Sequence, residues 1–128
     1  MTLTANIFNS YSIRVPSPDG TMFVHCHEDH SGNLIRVLIN IGKTGTSASS
    51  WADGVARMIT LALKSQDLST ILDELSNITS AKFVLGSGKY QIKSSIDGIF
   101  HALLMYRNMK VQPNREIRSA SLTIPRDW

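Results

Sequence analysis

Residues 34–57 read LIRVLINIGKTGTSASSWADGVAR, and this stretch decides the fold. In its first eight residues Ile35, Val37, Ile39 and Ile41 alternate with Arg36 and Asn40, the period-2 pattern of a strand with one face in a core. From Ser47 to Lys64, Trp51, Val55, Met58, Ile59, Ala62 and Leu63 recur at helical spacing, with Asp53 and Arg57 four apart on a more polar side. Between strand and helix lies GKTGTS. A strand, a glycine-bearing loop and a helix start in that order bring backbone N–H groups, the Lys43 ammonium and a helix dipole to one patch of space, which suits phosphate. The glycine that a G-x-x-x-x-G-K-[ST] loop requires before its Gly-Lys pair is missing, so ATP hydrolysis is not expected. The same residues also read as a plain turn and cap: Gly42 and Gly45 turn the chain, Ser47 or Ser50 caps the helix, and Lys43 sits in solvent.

Upstream, residues 10–15 read as a short strand, SPDGT as a turn and MFVHCH as a strand that pairs with 34–41 in a hairpin, HEDHSGN being the connection. Downstream, Leu68, Ile71, Leu72 and Leu75 predict a second helix capped by Asp67, and FVLGSGKYQI an extended element with a glycine turn. SSIDGIFHALLMYRN predicts a third helix, opened by Ser94 and Asp97 as a capping box and buried along Ile96, Ile99, Phe100, Leu103 and Leu104. The expected class is therefore α+β: a small antiparallel sheet beside two long helices and one shorter one.

At 128 residues, with 42% apolar and 18% charged residues, the chain reads as one domain able to bury a core. Residues 1–13 form an arm and 107–128 a basic tail. That tail holds Arg107, Lys110, Arg115, Arg118 and Arg126 against Glu116 and Asp127, and so carries the whole net charge of +3. A solvated tail is one reading; Ile117, Leu122 and Ile124 favour an ordered segment that docks on a neighbour. No run is long enough to span a membrane, no signal-peptide core is visible in residues 1–15, and Cys26 is the lone cysteine, so a cytoplasmic location without disulfides is expected.

The ordered set PSPDGTMFVHCHED, SGNLIRVLINIGKTGTS, WADGVARMITLALKS, LDELSNI and SSIDGIFHAL resembles the TSCPD domain, found at the C-terminus of adenosylcobalamin-dependent ribonucleotide reductases and as free-standing small proteins. The resemblance covers about residues 14–106. Against the motif Thr-Ser-Cys-Pro-Asp that names the family, the chain reads Lys93, Ser94, Ser95, Ile96, Asp97; the cysteine is absent, so chemistry resting on that thiol does not carry over. A chain of this length with a basic extension also resembles the phage proteins of the first Thoeris anti-defence family. That resemblance implies a homo-oligomeric sponge, a dimer or a trimer of dimers, in the cytosol of a bacterial host. It implies binding of cyclic ADP-ribose isomers, and also of cyclic di- or trinucleotides, without cleavage, cofactor or metal. An alternative is an accessory nucleotide-binding module of a ribonucleotide reductase.

Such a ligand offers phosphates, ribose hydroxyls and a flat base, which call for cations or N–H groups, short polar side chains and a stacking plane. Lys43 and Thr44 suit phosphate. Ser94, Ser95 and Asp97 repeat the logic at a second helix start, with Asp97 as an acceptor for a ribose or an adenine amine. Phe83 and Tyr90 flank a Gly-Ser-Gly turn as stacking surfaces, and both also read as ordinary packing. Arg57 lies too far along its helix to share the loop's phosphate within one chain, so a subunit interface would bring it to a second pocket. Arg107, Arg115 and Arg118 are the remaining anion binders, chosen on charge alone. Duplex nucleic acid is not expected from so small a charge excess.

HCHEDH at 25–30 invites a metal reading. On a strand His25 and His27 share one face and Cys26 takes the other, so only two ligands converge unless His30 or Glu28 joins them; no metal site is expected. No nucleophile sits beside a base at a catalytic spacing, and an enzyme is not expected either.

Overall fold

A computed structural model describes residues 9–42, 47–80, 84–85 and 91–110. Three antiparallel strands, β1 (Ser10–Val15), β2 (Met22–Glu28) and β3 (Leu34–Ile41), form a sheet in the order β1-β2-β3. Helices α1 (Ser47–Ala62) and α2 (Leu68–Leu75) follow, then a two-stranded antiparallel pair, β4 (Val84–Leu85) with β5 (Gln91–Ile92), and finally α3 (Ser95–Lys110). The class is α+β, with helices of 16, 8 and 16 residues as expected. No helix among the described residues is long and apolar enough to cross a membrane.

The alternation of the strands sets the core. Ile13, Val15, Met22, Val24, Cys26, Val37, Ile39 and Ile41 all point to one buried face. Helix α3 covers that face over β1 and β2, and α1 packs along β3. Ala52 and Ala56, both buried, let α1 approach closely. Thr60 completes the contact: its hydroxyl accepts from the Val37 N–H at 3.0 Å and donates to the Val37 carbonyl at 3.2 Å. A helix thereby satisfies backbone groups of a strand at the sheet's edge, which would otherwise be open to pairing with another chain.

Two expectations are corrected. Ile35 was expected in the core beside Val37 but is 44% exposed. The register passes from His27 opposite Arg36 to Glu28 opposite Leu34, so Ile35 is the extra residue of a bulge and falls off the buried face. Met58 was expected on the apolar side of α1 and is 64% exposed, because Ala52, Ala56 and Ile59 define the buried side.

Helix α3 is buried well beyond one stripe. Ser95, Asp97, Gly98, Ile99, Ala102, Leu103, Met105, Tyr106 and Met109 are all enclosed, since the sheet, α2 and β5 pack around this helix. Gly98 marks the closest approach: a Cβ there would stand 2.7 Å from Met22 Cε and 3.4 Å from the Pro16 carbonyl oxygen. At the far end, Glu28 is a fully buried carboxylate. It accepts a short hydrogen bond from the Tyr106 hydroxyl and is paired with Lys110 Nζ at 3.0 and 3.2 Å. Burial and then the Glu28 contact push the Tyr106 phenol far above its ordinary value, so it remains a donor.

Candidate functional site

The turn between β1 and β2 is pinned from within by Ser17. Its buried hydroxyl donates to the Gly20 carbonyl at 2.6 Å and accepts from the Asp19 N–H at 3.2 Å, while the Gly20 N–H reaches the Ser17 carbonyl at 3.0 Å. Asp19 is thus presented toward the start of α3, where the Ser95 hydroxyl donates to its Oδ2 at 2.5 Å.

Ser94 is the N-cap of α3. Its Oγ accepts from the Asp97 N–H at 2.9 Å and donates to the Ile78 carbonyl at 2.5 Å. The reciprocal half of the expected capping box is displaced by one residue, for Asp97 Oδ2 accepts from the Lys93 N–H at 2.8 Å. The Ser80 N–H bonds to the Lys93 carbonyl at 2.8 Å and stitches residues 78–80 to the same helix start.

These contacts enclose a cleft of about 640 Å³, within the usual range for a small-molecule site. Pro18 and Asp19 form one side, Trp51 and Val55 of α1 a second, and Ile78 to Ser80 with Ser94 to Ile96 the floor and remaining wall. Trp51, half-buried, offers an indole beside a row of short hydroxyls and one carboxylate.

Of the sequence-derived candidates, Ser94 and Ser95 line this cleft. Asp97 lies behind its wall, buried, with its carboxylate turned to the Lys93 N–H and to His101 Nε2 at 3.5 Å. It therefore positions the helix start. Arg57 is ion-paired with Asp53 at 3.2 Å on the exposed side of α1; two residues beyond Val55 is about 200° around a helix, which faces it away from the cleft. Arg107 is half-buried, and twelve residues of rise along α3 from Ser95 set it about 18 Å away. Lys43, Thr44, Phe83, Tyr90, Arg115 and Arg118 lie outside the described residues. Trp51 and Asp19 line the cleft and were not among the sequence-derived candidates. The indole was counted as core and the Asp as turn chemistry, although a Trp in the first turns after a phosphate-suited loop is a usable signal.

The two helix starts differ electrostatically. The first turn of α1 holds no acidic residue, whereas that of α3 holds Asp97 and faces Asp19. A phosphate is therefore better placed at the α1 start, and the cleft beside α3 better suited to uncharged donors and flat rings. Burial holds His101 below its ordinary value; Asp97 opposes that shift and Lys93 adds to it.

Around HCHEDH the alternation holds. His25 and His27 lie on the outer face, where His25 Nε2 accepts from Asn40 Nδ2 at 3.1 Å and Nδ1 meets Ser12 Oγ at 2.7 Å. Burial, and then His27, lower the His25 value. Cys26 and Glu28 point inward, and burial followed by Glu28 pushes the Cys26 thiol up to about 12. Among the described residues no three His, Cys, Asp or Glu side chains are grouped to hold a metal.

The model of the TSCPD domain matches residues 6–107. The chain belongs to the TSCPD domain family. No curated protein and no solved structure matches it. In this TSCPD domain Ser94 to Asp97 form the N-cap and first turn of α3, and Ser94, Ser95 and Ile96 line the cleft. Ser95 is the residue that holds Asp19.

Proposed function

We propose that this TSCPD domain is a sponge that binds and sequesters a cyclic nucleotide immune signal, a cyclic ADP-ribose isomer or a cyclic di- or trinucleotide, without cleaving it. The observation that carries the reading is the cleft between α1 and α3, in which the Trp51 indole stands beside Ser94, Ser95 and Asp19. The base and ribose occupy this cleft, and the phosphates turn to the acid-free start of α1, with Lys43 as the nearest cation before it in the sequence. Affinity comes from a pocket whose polar groups are already held by hydrogen bonds, so little ordering is left for binding.

Sequestration without cleavage is supported by how the hydroxyls are engaged. Ser94 donates to a carbonyl and Ser95 to a carboxylate, and the nearby imidazole of His101 faces Asp97. A serine nucleophile is ordinarily activated by an imidazole or amine, far more basic than a carbonyl or a carboxylate, and the nearby imidazole is turned to Asp97 instead. Homo-oligomeric assembly, as a dimer or a trimer of dimers, is part of the proposal. Met58 and Leu61, 64% and 56% exposed, lie near Arg57 on α1 and support contact with a second copy. Such a contact would deliver the guanidinium to a neighbouring protomer's ligand.

Calorimetry against a panel of cyclic ADP-ribose isomers, cyclic oligonucleotides and linear nucleotides tests the reading. Saturable binding of a cyclic member, with intact ligand recovered after the protein is denatured, is expected. Loss of the ligand would identify an enzyme, and equal binding of linear nucleotides would favour a reductase-associated module.

A further inference from the structure

We propose that Asp19 and Ser95 act together as a base-recognition pair that selects a nucleobase bearing an exocyclic amine, adenine, over its oxo counterpart, hypoxanthine. This rests on the nucleotide reading of the cleft and names which part of the ligand meets which wall.

Donors and acceptors at the cleft wall decide the selection. Ser95, only 6% exposed, is held at the first position of α3 and gives its one hydroxyl proton to Asp19 Oδ2 at 2.5 Å. The Asp19 backbone is itself fixed by the Ser17 hydroxyl and the Gly20 turn. The Ser95 hydroxyl therefore holds the carboxylate in place. What the pair presents to the cleft is acceptor only: the second carboxylate oxygen and a lone pair on Ser95 Oγ.

A ligand edge placed there must donate. The adenine N6 amine does so. Hypoxanthine places a carbonyl oxygen at the same point, oxygen against oxygen, and a phosphate would be repelled by the same carboxylate. The faces of the ring are served separately, by the Trp51 indole and by the apolar side chains of Val55 and Ile96. A ribose hydroxyl also donates, but it would make the site indifferent to the base, which the test detects.

The probes are ribose-linked cyclic ADP-ribose isomers and their hypoxanthine counterparts, with cyclic di-AMP against cyclic di-IMP as a second pair. Each is titrated calorimetrically into the wild-type protein, Asp19→Asn and Ser95→Ala. The wild type should favour the adenine member by about tenfold to a hundredfold, the range of one hydrogen bond to a charged acceptor. Asp19→Asn offers an amide N–H and should bring the two members within about threefold. Ser95→Ala releases the carboxylate and should lower the preference part-way. Asp19 is exposed, so its substitution should leave the thermal melt unchanged, which a circular dichroism scan verifies. Equal wild-type affinity for both members of a pair, or a preference that Asp19→Asn leaves intact, overturns the inference while sequestration stands. Absence of binding by every probe overturns both.

Discussion

Replacing Lys110 by Met should expose how far the end of α3 depends on one buried charge. Glu28 is 0% exposed and, among the described residues, is served by two side chains, the Tyr106 hydroxyl and the Lys110 ammonium, the latter 3.0 Å from Oε2. Methionine keeps the apolar stem and removes the charge, leaving a carboxylate in the core with the neutral Tyr106 hydroxyl as its donor. Removing one partner of a fully buried pair costs about 3–5 kcal/mol. The Lys110 side chain is 35% exposed, so water reaches the site once the ammonium is gone; the expected loss is then about 2–3 kcal/mol. The ammonium also lies 5.6 Å from the centre of the Tyr11 ring, a contact contributing no more than about 1 kcal/mol at so open a position. In urea denaturation such a loss moves the midpoint by about 1–2 M for a domain of this size. The double variant Glu28→Gln/Lys110→Met removes the stranded charge and keeps an acceptor for Tyr106, and it should recover at least half of the deficit. A Lys110→Met protein within about 0.5 kcal/mol of the wild type, less than the usual effect of breaking such a pair, would refute the reasoning. So would a double variant no more stable than the single one.

Three further outcomes follow from the same packing. Cys26 is fully buried with its thiol pushed up to about 12, so the native protein should resist a thiol reagent at pH 8 and react on unfolding; prompt native labelling contradicts the core register of β2. Gly98→Ala drives a methyl to within 2.7 Å of the Met22 methyl, and an overpacking cost of about 1–3 kcal/mol set against a helix-propensity gain of about 1 leaves a net loss of up to about 2 kcal/mol. A shorter side chain in Met22→Leu/Gly98→Ala should recover part of that urea midpoint, and a stabilised single variant would show that the strand and helix do not meet there. His101 is lowered in the fold by burial, so the unfolded chain takes up this proton first: stability is complete above the unfolded value of 6.5 and falls as pH drops through it. His101→Gln should flatten the decline in unfolding free energy between pH 7.5 and 5.5, with His25 still contributing in the same sense; an unchanged slope would assign the decline elsewhere.

The strands and helices were legible because their periods are clean. Val37, Ile39 and Ile41 alternate without interruption, and Leu68, Ile71, Leu72 and Leu75 keep to one helical face. Ile35 was misplaced because a bulge depends on how the hairpin's turn closes, and the Asp29 side chain that organises that turn through the Ser31 and Asn33 N–H groups leaves no trace in hydrophobic period. Glu28 was read as part of a connection. Its place in the alternation with Met22, Val24 and Cys26 points inward, but the Tyr106 and Lys110 that make burial tolerable lie 78 and 82 residues away. The start of α3 was found through its capping chemistry, which is local. Its neighbours across the cleft, Asp19 and Trp51, were not, because only the tertiary fold brings the first hairpin turn to Ser95 and sets α1 along the same cleft.

A ligand whose base rests against the Trp51 indole must alter that indole's fluorescence. The chain has two tryptophans, so Trp128→Phe leaves Trp51 as the sole indole reporter. Titrating this variant with the cyclic nucleotide that calorimetry selects should change its emission saturably, with a midpoint matching the calorimetric one. Binding heat with unaltered Trp51 emission would contradict the account and place the ligand elsewhere on the protein.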